Sequence, residues 1–277
     1  MVLSCMKMTV FVVSVLLLVT VSVSVQMRIS GQVLPLDMAE GSVDDSYEGC
    51  KDPMFKLVNS KYIEEENNAT AFCSAGWKKA PNHYQSTGLG RHQSTAIRMY
   101  TENCVYLQFN NASRNGSAEY KSGDFQFYSL HFFLTDAIQQ LKRNQTGCLT
   151  TYRRTNIKFQ KDVLNKTVRF GSFTSTSLKH NLHGFGSTSC FKVETCFGAS
   201  VEKYSAFPSE REVLIPPYEV FRVTSIKKNT HCNVVYELKS VGKKSNLQCI
   251  KIKNTSTVLV PSLFTPVLMF NLLHSVL

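Results

Sequence analysis

The spacing of apolar residues changes character at Cys148, and that change restricts the chain to one class of fold. Before it the text has a helical period. Across residues 52–79 the inward candidates are Met54, Leu57, Val58, Tyr62 and, further on, Phe72 and Trp77. Residues 87–100 read as loop then helix, and 105–109 lead into a turn at 110–117. Residues 124–141 predict a helix with Phe127, Leu130, Phe133, Leu134, Ile138 and Leu141 on one stripe. After Cys148 come short β-like runs at 149–153, 167–170, 191–196, 212–215, 219–226 and 233–239, separated by turn residues. There is no internal repeat, heptad or low-complexity linker, so the expectation is a single α+β domain, helical in its N-terminal part.

Both ends lie outside that domain. Residues 1–25 carry one charge, Lys7, ahead of an apolar run at 8–23 with Ser22 and Ser24 near its end, the pattern of a secretory signal peptide cut near residues 24–26, with a signal anchor as the alternative. No charged residue follows Lys253. The tail 254–277 opens with the small residues Asn254, Thr255 and Ser256 and is then almost wholly apolar, which reads as a GPI attachment signal, with a transmembrane tail or a secreted form as the alternatives. The folded domain is therefore placed at 26–253. Nine cysteines, less Cys5 in the leader, leave eight: an even set in an exported chain, which predicts disulfides. They lack the paired ligand spacing of a zinc site, and no HExxH accompanies them, so no metal is expected. Sequons begin at Asn68, Asn111, Asn115, Asn144, Asn165 and Asn254, which fits a glycoprotein facing the outside of the cell. The formal charge is +11. Its lysines and arginines are scattered in short pairs such as Lys227-Lys228 and are not interleaved with aromatics, which argues against nucleic acid as a partner.

Three stretches can carry chemistry. FPSEREVLIPPYEVF, residues 207–221, sets Glu210 and Glu212 one residue apart at the mouth of an apolar strand. In an extended backbone such residues share a face about 6–7 Å apart, so two carboxylates would point into one cleft with separate tasks. TYRRT, residues 151–155, puts Arg153 at a strand end, where a guanidinium grips a phosphate through two parallel hydrogen bonds. RFGSFTSTSL, residues 169–178, places Ser175 and Ser177 on one strand face. Taken singly, each has a plain structural explanation: a solvated strand end, a surface arginine, a strand edge.

In this order, arginine on one strand, Ser-Thr-Ser on a later one and Glu-x-Glu before VLIPP, the chain resembles the vertebrate ecto-ADP-ribosyltransferases. The similarity runs from about Leu36 to Cys249 and includes LDMAEGSVDDSYEGC, YRRT, RFGSFTSTSL, ETCFGA, YSAFPSEREVLIPPYEVF and the closing NLQC. The resemblance implies two crossed β-sheets with NAD, or NADP, held in the cleft between them. It implies transfer of ADP-ribose from the dinucleotide to arginines of surface or secreted proteins by a monomeric extracellular enzyme, on a GPI anchor or secreted. An NAD glycohydrolase of the same fold and a catalytically silent surface antigen are the alternatives. The roles implied are Arg153 for the dinucleotide phosphates, Ser175 for orienting the nicotinamide ribose and the carboxylate, Glu212 for catalysis and Glu210 for the arginine acceptor. Tyr100, Ser172 and Ser205 are further expected dinucleotide contacts. Two positions depart from the family pattern: Arg154 stands where glycine is common, and Ser172 where glutamine is frequent. Arg211, between the glutamates, could pair with one of them. The disulfides implied are Cys50 with Cys249 and Cys148 with Cys196.

Overall fold

The computed structural model describes residues 33–69, 77, 88–102 and 104–253. The leader 1–25, the tail 254–277 with Asn254, the helical reading of 70–79 apart from Trp77, and Cys73 lie outside the described residues.

The N-terminal half is helical. α1 (Lys51–Leu57), a π-helical turn (Val58–Tyr62) and α2 (Ile63–Ala69) form one rod. Its buried residues Met54, Val58, Tyr62 and Glu66 recur every four positions. In a regular α-helix that spacing drifts around the axis; the wider π turn winds it back and keeps the four on one side. α3 (Arg91–Thr101), α4 (Tyr106–Asn115) and α5 (Ser117–Ser122) follow. The stretch 110–117, expected as a turn, is therefore helical apart from a turn at Gly116: Phe109, Asn110 and Ser113 bury one face of α4, and that packing outweighs the weak helix preference of Asn and Ser. α6 (Tyr128–Arg143) is also more central than one stripe implies, because every residue from Tyr128 to Ile138 is buried. Its free N-terminal amides at Ser129 and Leu130 are capped from a distance by the buried carboxylate of Glu66.

The strands are β1 (Val33–Leu34), β2 (Leu149–Thr155), β3 (Lys158–Phe159), β4 (Thr167–Val168), β5 (Thr174–Ser177), β6 (Ser189–Thr195), β7 (Ala199–Ser200), β8 (Glu212–Ile215), β9 (Glu219–Asn229) and β10 (Cys232–Lys243). β1 and β3 pair as a small parallel ribbon; the other eight run in the order β4-β9-β10-β6-β2-β5-β8-β7. Within that order β2 meets β5 through a single residue pair, Tyr152 with Ser177. The two strand groups on either side of that junction correspond to the two sheets of the α+β expectation.

β8 explains the unbroken run Val213-Leu214-Ile215. Leu214 packs into the core shared with the helices and Ile215 into the second core, with Phe191, Phe221 and Tyr236. A strand covered on both faces has no polar face to present.

The chain ends are clasped together. Arg169, fully buried, pairs with Asp44 at 2.5 Å and donates to the carbonyls of Met38, Ala39 and Lys244. Asp44 accepts the amides of Asn246 and Leu247, and Asp45 those of Tyr47 and Cys249. The Cys50–Cys249 disulfide closes the same clasp over a separation of 199 residues, which in the chain-entropy account penalises the unfolded state by about 5 kcal/mol. Cys148–Cys196 and Cys190–Cys232 are the other disulfides with both ends described, and Cys104 is disulfide-bonded too.

Candidate active site

The cleft opens at the β2–β5 junction. Antiparallel register puts Ser177 opposite Glu212 and Ser175 opposite Leu214. β5 reaches this position because Gly171 turns the chain at φ +70 beside the N-terminal clasp. A Cβ there would stand 2.7 Å from that of Ala39, so the turn excludes larger residues.

Glu210 and Glu212 do not share an extended strand. Glu210 ends a 3₁₀ turn (Pro208–Glu210), Arg211 adopts the left-handed conformation at φ 50, and only then does β8 begin with Glu212. Both carboxylates still line one open cleft, with Arg153, Ser175 and Ser177. The convergence is made by a turn and a left-handed residue, which the alternation of a strand cannot supply. The left-handed step also sends Arg211 away from the pair, toward Glu202 at 3.8 Å, so it neutralises neither catalytic candidate.

Glu212 is 5% exposed. Its pKa is pushed up to about 7, first by burial; the Ser175 hydroxyl opposes the rise, the neighbouring Glu210 adds to it, and Ser205 and Arg153 again oppose it. Ser205 Oγ lies 3.5 Å from Glu212 Oε2. Glu210, more open to solvent, is also raised by partial burial. Arg153 donates to the Ser175 carbonyl at 2.7 Å and to the Tyr106 hydroxyl at 3.4 Å, which holds the guanidinium against β5. A single hollow thus contains an oriented cation, a hydroxyl bonded to a buried carboxylate, and a second, wetter carboxylate. That set can hold an anionic ligand, stabilise positive charge developing beside it and accept a proton from a third group.

Three expected ligand contacts are buried beside the cleft instead of lining it. Tyr100 is fully buried: its hydroxyl donates to the Phe173 carbonyl at 2.9 Å and accepts from Asn110. Ser172 is buried with its carbonyl engaged by Thr174. Ser205 is buried behind Glu212. Tyr100 and Ser172 bond at the approach to β5, and Ser205 reaches the Glu212 carboxylate. Conversely, Tyr152, Lys179, His180, Leu182 and Phe185 do line it. They come from β2 and from the loop after β5, whose 3₁₀ turn (His183–Phe185) leaves Phe185 half exposed. A large aromatic between Gly184 and Gly186 was the available signal for that wall. Arg154 turns its guanidinium to the carbonyls of Gly186 and His231, at 3.5 and 3.3 Å.

A family model of the NAD:arginine ADP-ribosyltransferases matches residues 36–246. NAD(P)(+)--arginine ADP-ribosyltransferase 2 of Gallus gallus is 37% identical over 231 residues, which cover 79% of this chain and 73% of that protein. GPI-linked NAD(P)(+)--arginine ADP-ribosyltransferase 1 of Mus musculus is 34% identical over 249 residues, covering 82% and 76%. Among solved structures, a mutant of the eukaryotic mono-ADP-ribosyltransferase ART2.2 in complex with NADH superimposes with a TM-score of 0.65 at 30% identity, over 78% of this chain and 98% of that one.

Proposed function

The chain belongs to the NAD:arginine ADP-ribosyltransferase family, and from that premise we propose how its own residues carry out transfer of ADP-ribose from NAD to protein arginines at the cell surface, by a monomer. The observation that carries the reading is the state of Glu212: buried, bonded to Ser175, flanked by Glu210 and within the field of Arg153. Arg153 holds the pyrophosphate. When the bond from the ribose anomeric carbon to the nicotinamide nitrogen breaks, its electron pair leaves with nicotinamide and the sugar becomes oxocarbenium-like. Glu212, held by Ser175 and Ser205, meets that charge, and it does so more strongly in the transition state than in the ground state. An arginine of the acceptor then attacks through a guanidinium nitrogen, and its surplus proton passes to Glu210.

Two outcomes test the division of labour. Glu210→Gln is expected to lose transfer to agmatine by about 10²-fold, the scale of one positioned acid–base group, while nicotinamide release with water as acceptor persists. Transfer at the wild-type rate would remove Glu210 from the mechanism. Glu212 has to be ionised to act, and its pKa is about 7, so log kcat/KM for transfer should fall with a slope of one below that pH and level off above it. A flat profile from pH 5.5 to 8.5 would show that the ionisation of Glu212 does not control the rate. The primary assay is purified protein with labelled NAD and agmatine, following label transfer and nicotinamide together.

A further inference from the structure

A second hollow, of about 450 Å³, adjoins the cleft and shares Tyr152, Arg153, Arg154 and His180 with it. Strand register explains the continuity. One row of directly paired residues crosses the sheet as Glu237, Lys192, Tyr152, Ser177 and Glu212. Two residues along, and so on the same face, a second row runs Lys227, Val235, Cys190 and Arg154. The floor is the small apolar cluster of Val235 and the Cys190–Cys232 disulfide. The walls are cationic. Arg154 bonds to the carbonyls of Gly186 and His231, and His183 is held below its ordinary range, first by desolvation and then by the like charges of Arg154, His231 and His180. Among the described residues, the one carboxylate lining it, Glu237, is already paired with Lys227 at 2.5 Å and feels Lys192 as well.

We propose that this cationic hollow seats acidic side chains of the protein acceptor that flank the arginine presented to Glu210 and Glu212, an inference that rests on the arginine-transfer reading above. The volume is that of a site for several residues, far beyond one small inorganic anion, and Arg154, Lys192 and Lys227 stand on three different strands. Lys192 and Glu212 are three strand spacings apart, about 14 Å, or about four residues of extended peptide. The favoured acceptor therefore has Asp or Glu about four to six positions to one side of its arginine.

The test compares two peptides with a single arginine, one bearing paired glutamates at that distance and one bearing alanines, in wild type and in Lys192→Glu/Lys227→Glu. Wild type should show a KM lower by roughly fivefold for the acidic peptide, the scale of two exposed ion pairs, and the difference should shrink in 0.5 M salt. In the double variant the ratio should fall to one or invert, while kinetics with agmatine, which has no flanks, stay unchanged. A second arm uses the same peptides with lysine in place of arginine, fluorescently labelled, and measures binding by polarisation without turnover: the acidic one binds wild type and is lost in the variant. Lys192→Gln alone, a smaller perturbation, should give an intermediate ratio. Equal KM ratios in wild type and variants, or equal binding of the two lysine peptides, overturn the proposal. Absence of agmatine transfer by wild type would instead sink the transferase reading, and the binding arm would still decide this one.

Discussion

Glu212→Gln should abolish nicotinamide release and arginine transfer together, each by about 10³-fold or more, the scale of removing a preorganised charge from a water-poor site. Both reactions pass through the same positively charged sugar, so a change that acts on that species cannot spare either. The neutral amide keeps the volume and a hydrogen-bond acceptor for Ser175, which separates loss of charge from loss of shape. The variant should also be no less stable than wild type. Folding raises the Glu212 pKa from the ordinary carboxylate value to about 7. The folded protein therefore holds this proton more tightly than the unfolded chain, and stability is lost as pH rises across that interval. Glutamine does not ionise and escapes the loss, so at pH 8 its Tm should equal or exceed that of wild type. Retention of nicotinamide release above a tenth of the wild-type rate would show that the charge on this carboxylate is not what the reaction needs.

Arg169→Met should be the most damaging single change to the fold, costing about 3–5 kcal/mol, as expected when one partner of a buried ion pair is removed. For a domain of this size that is a fall in Tm of about 6–20 °C. The charge left behind is Asp44, fully buried; the carbonyls of Met38 and Lys244 lose this donor with it, and that of Ala39 keeps the Ser42 amide. Removing both charges should not restore stability, because Asp44 also accepts the amides of Asn246 and Leu247; Arg169→Met with Asp44→Leu strips those as well. Thermal unfolding with disulfides intact is the measurement. A change under 2 °C would mean that the Cys50–Cys249 bridge alone holds the ends together.

Local chemistry explains how much of this was legible in advance. β8 was readable at residues 212–215 because a strand buried on both faces has to be apolar throughout, and the run ends at Pro216. The first helical rod and α6 were readable from their 3.6-residue period, although the π turn and the full burial of α6 were not: both depend on what packs against the helix. The stretch 110–117 was misread for the same reason, since its Asn, Ser and Gly favour a turn until Phe109 and Ser113 are buried against neighbouring helices. In the cleft, the types Arg153, Ser175, Glu210 and Glu212 were visible in sequence; Phe185 was marked only by the glycines on either side of it, and Tyr152 by nothing local.

By itself the sequence determined the class of fold, an α+β chain that turns from helices to strands at Cys148, and the kinds of side chain that its chemistry requires, because period and residue type are local properties. Only the tertiary structure decided which groups touch. It took Tyr100 and Ser172 behind β5, turned Arg211 toward Glu202, and used one left-handed residue to bring Glu210 to the cleft that Glu212 lines. It also aligned Lys192 and Glu212 in one row across four strands. Side-chain direction at a turn and register between distant strands are set by packing of the whole domain, and no window of sequence contains them.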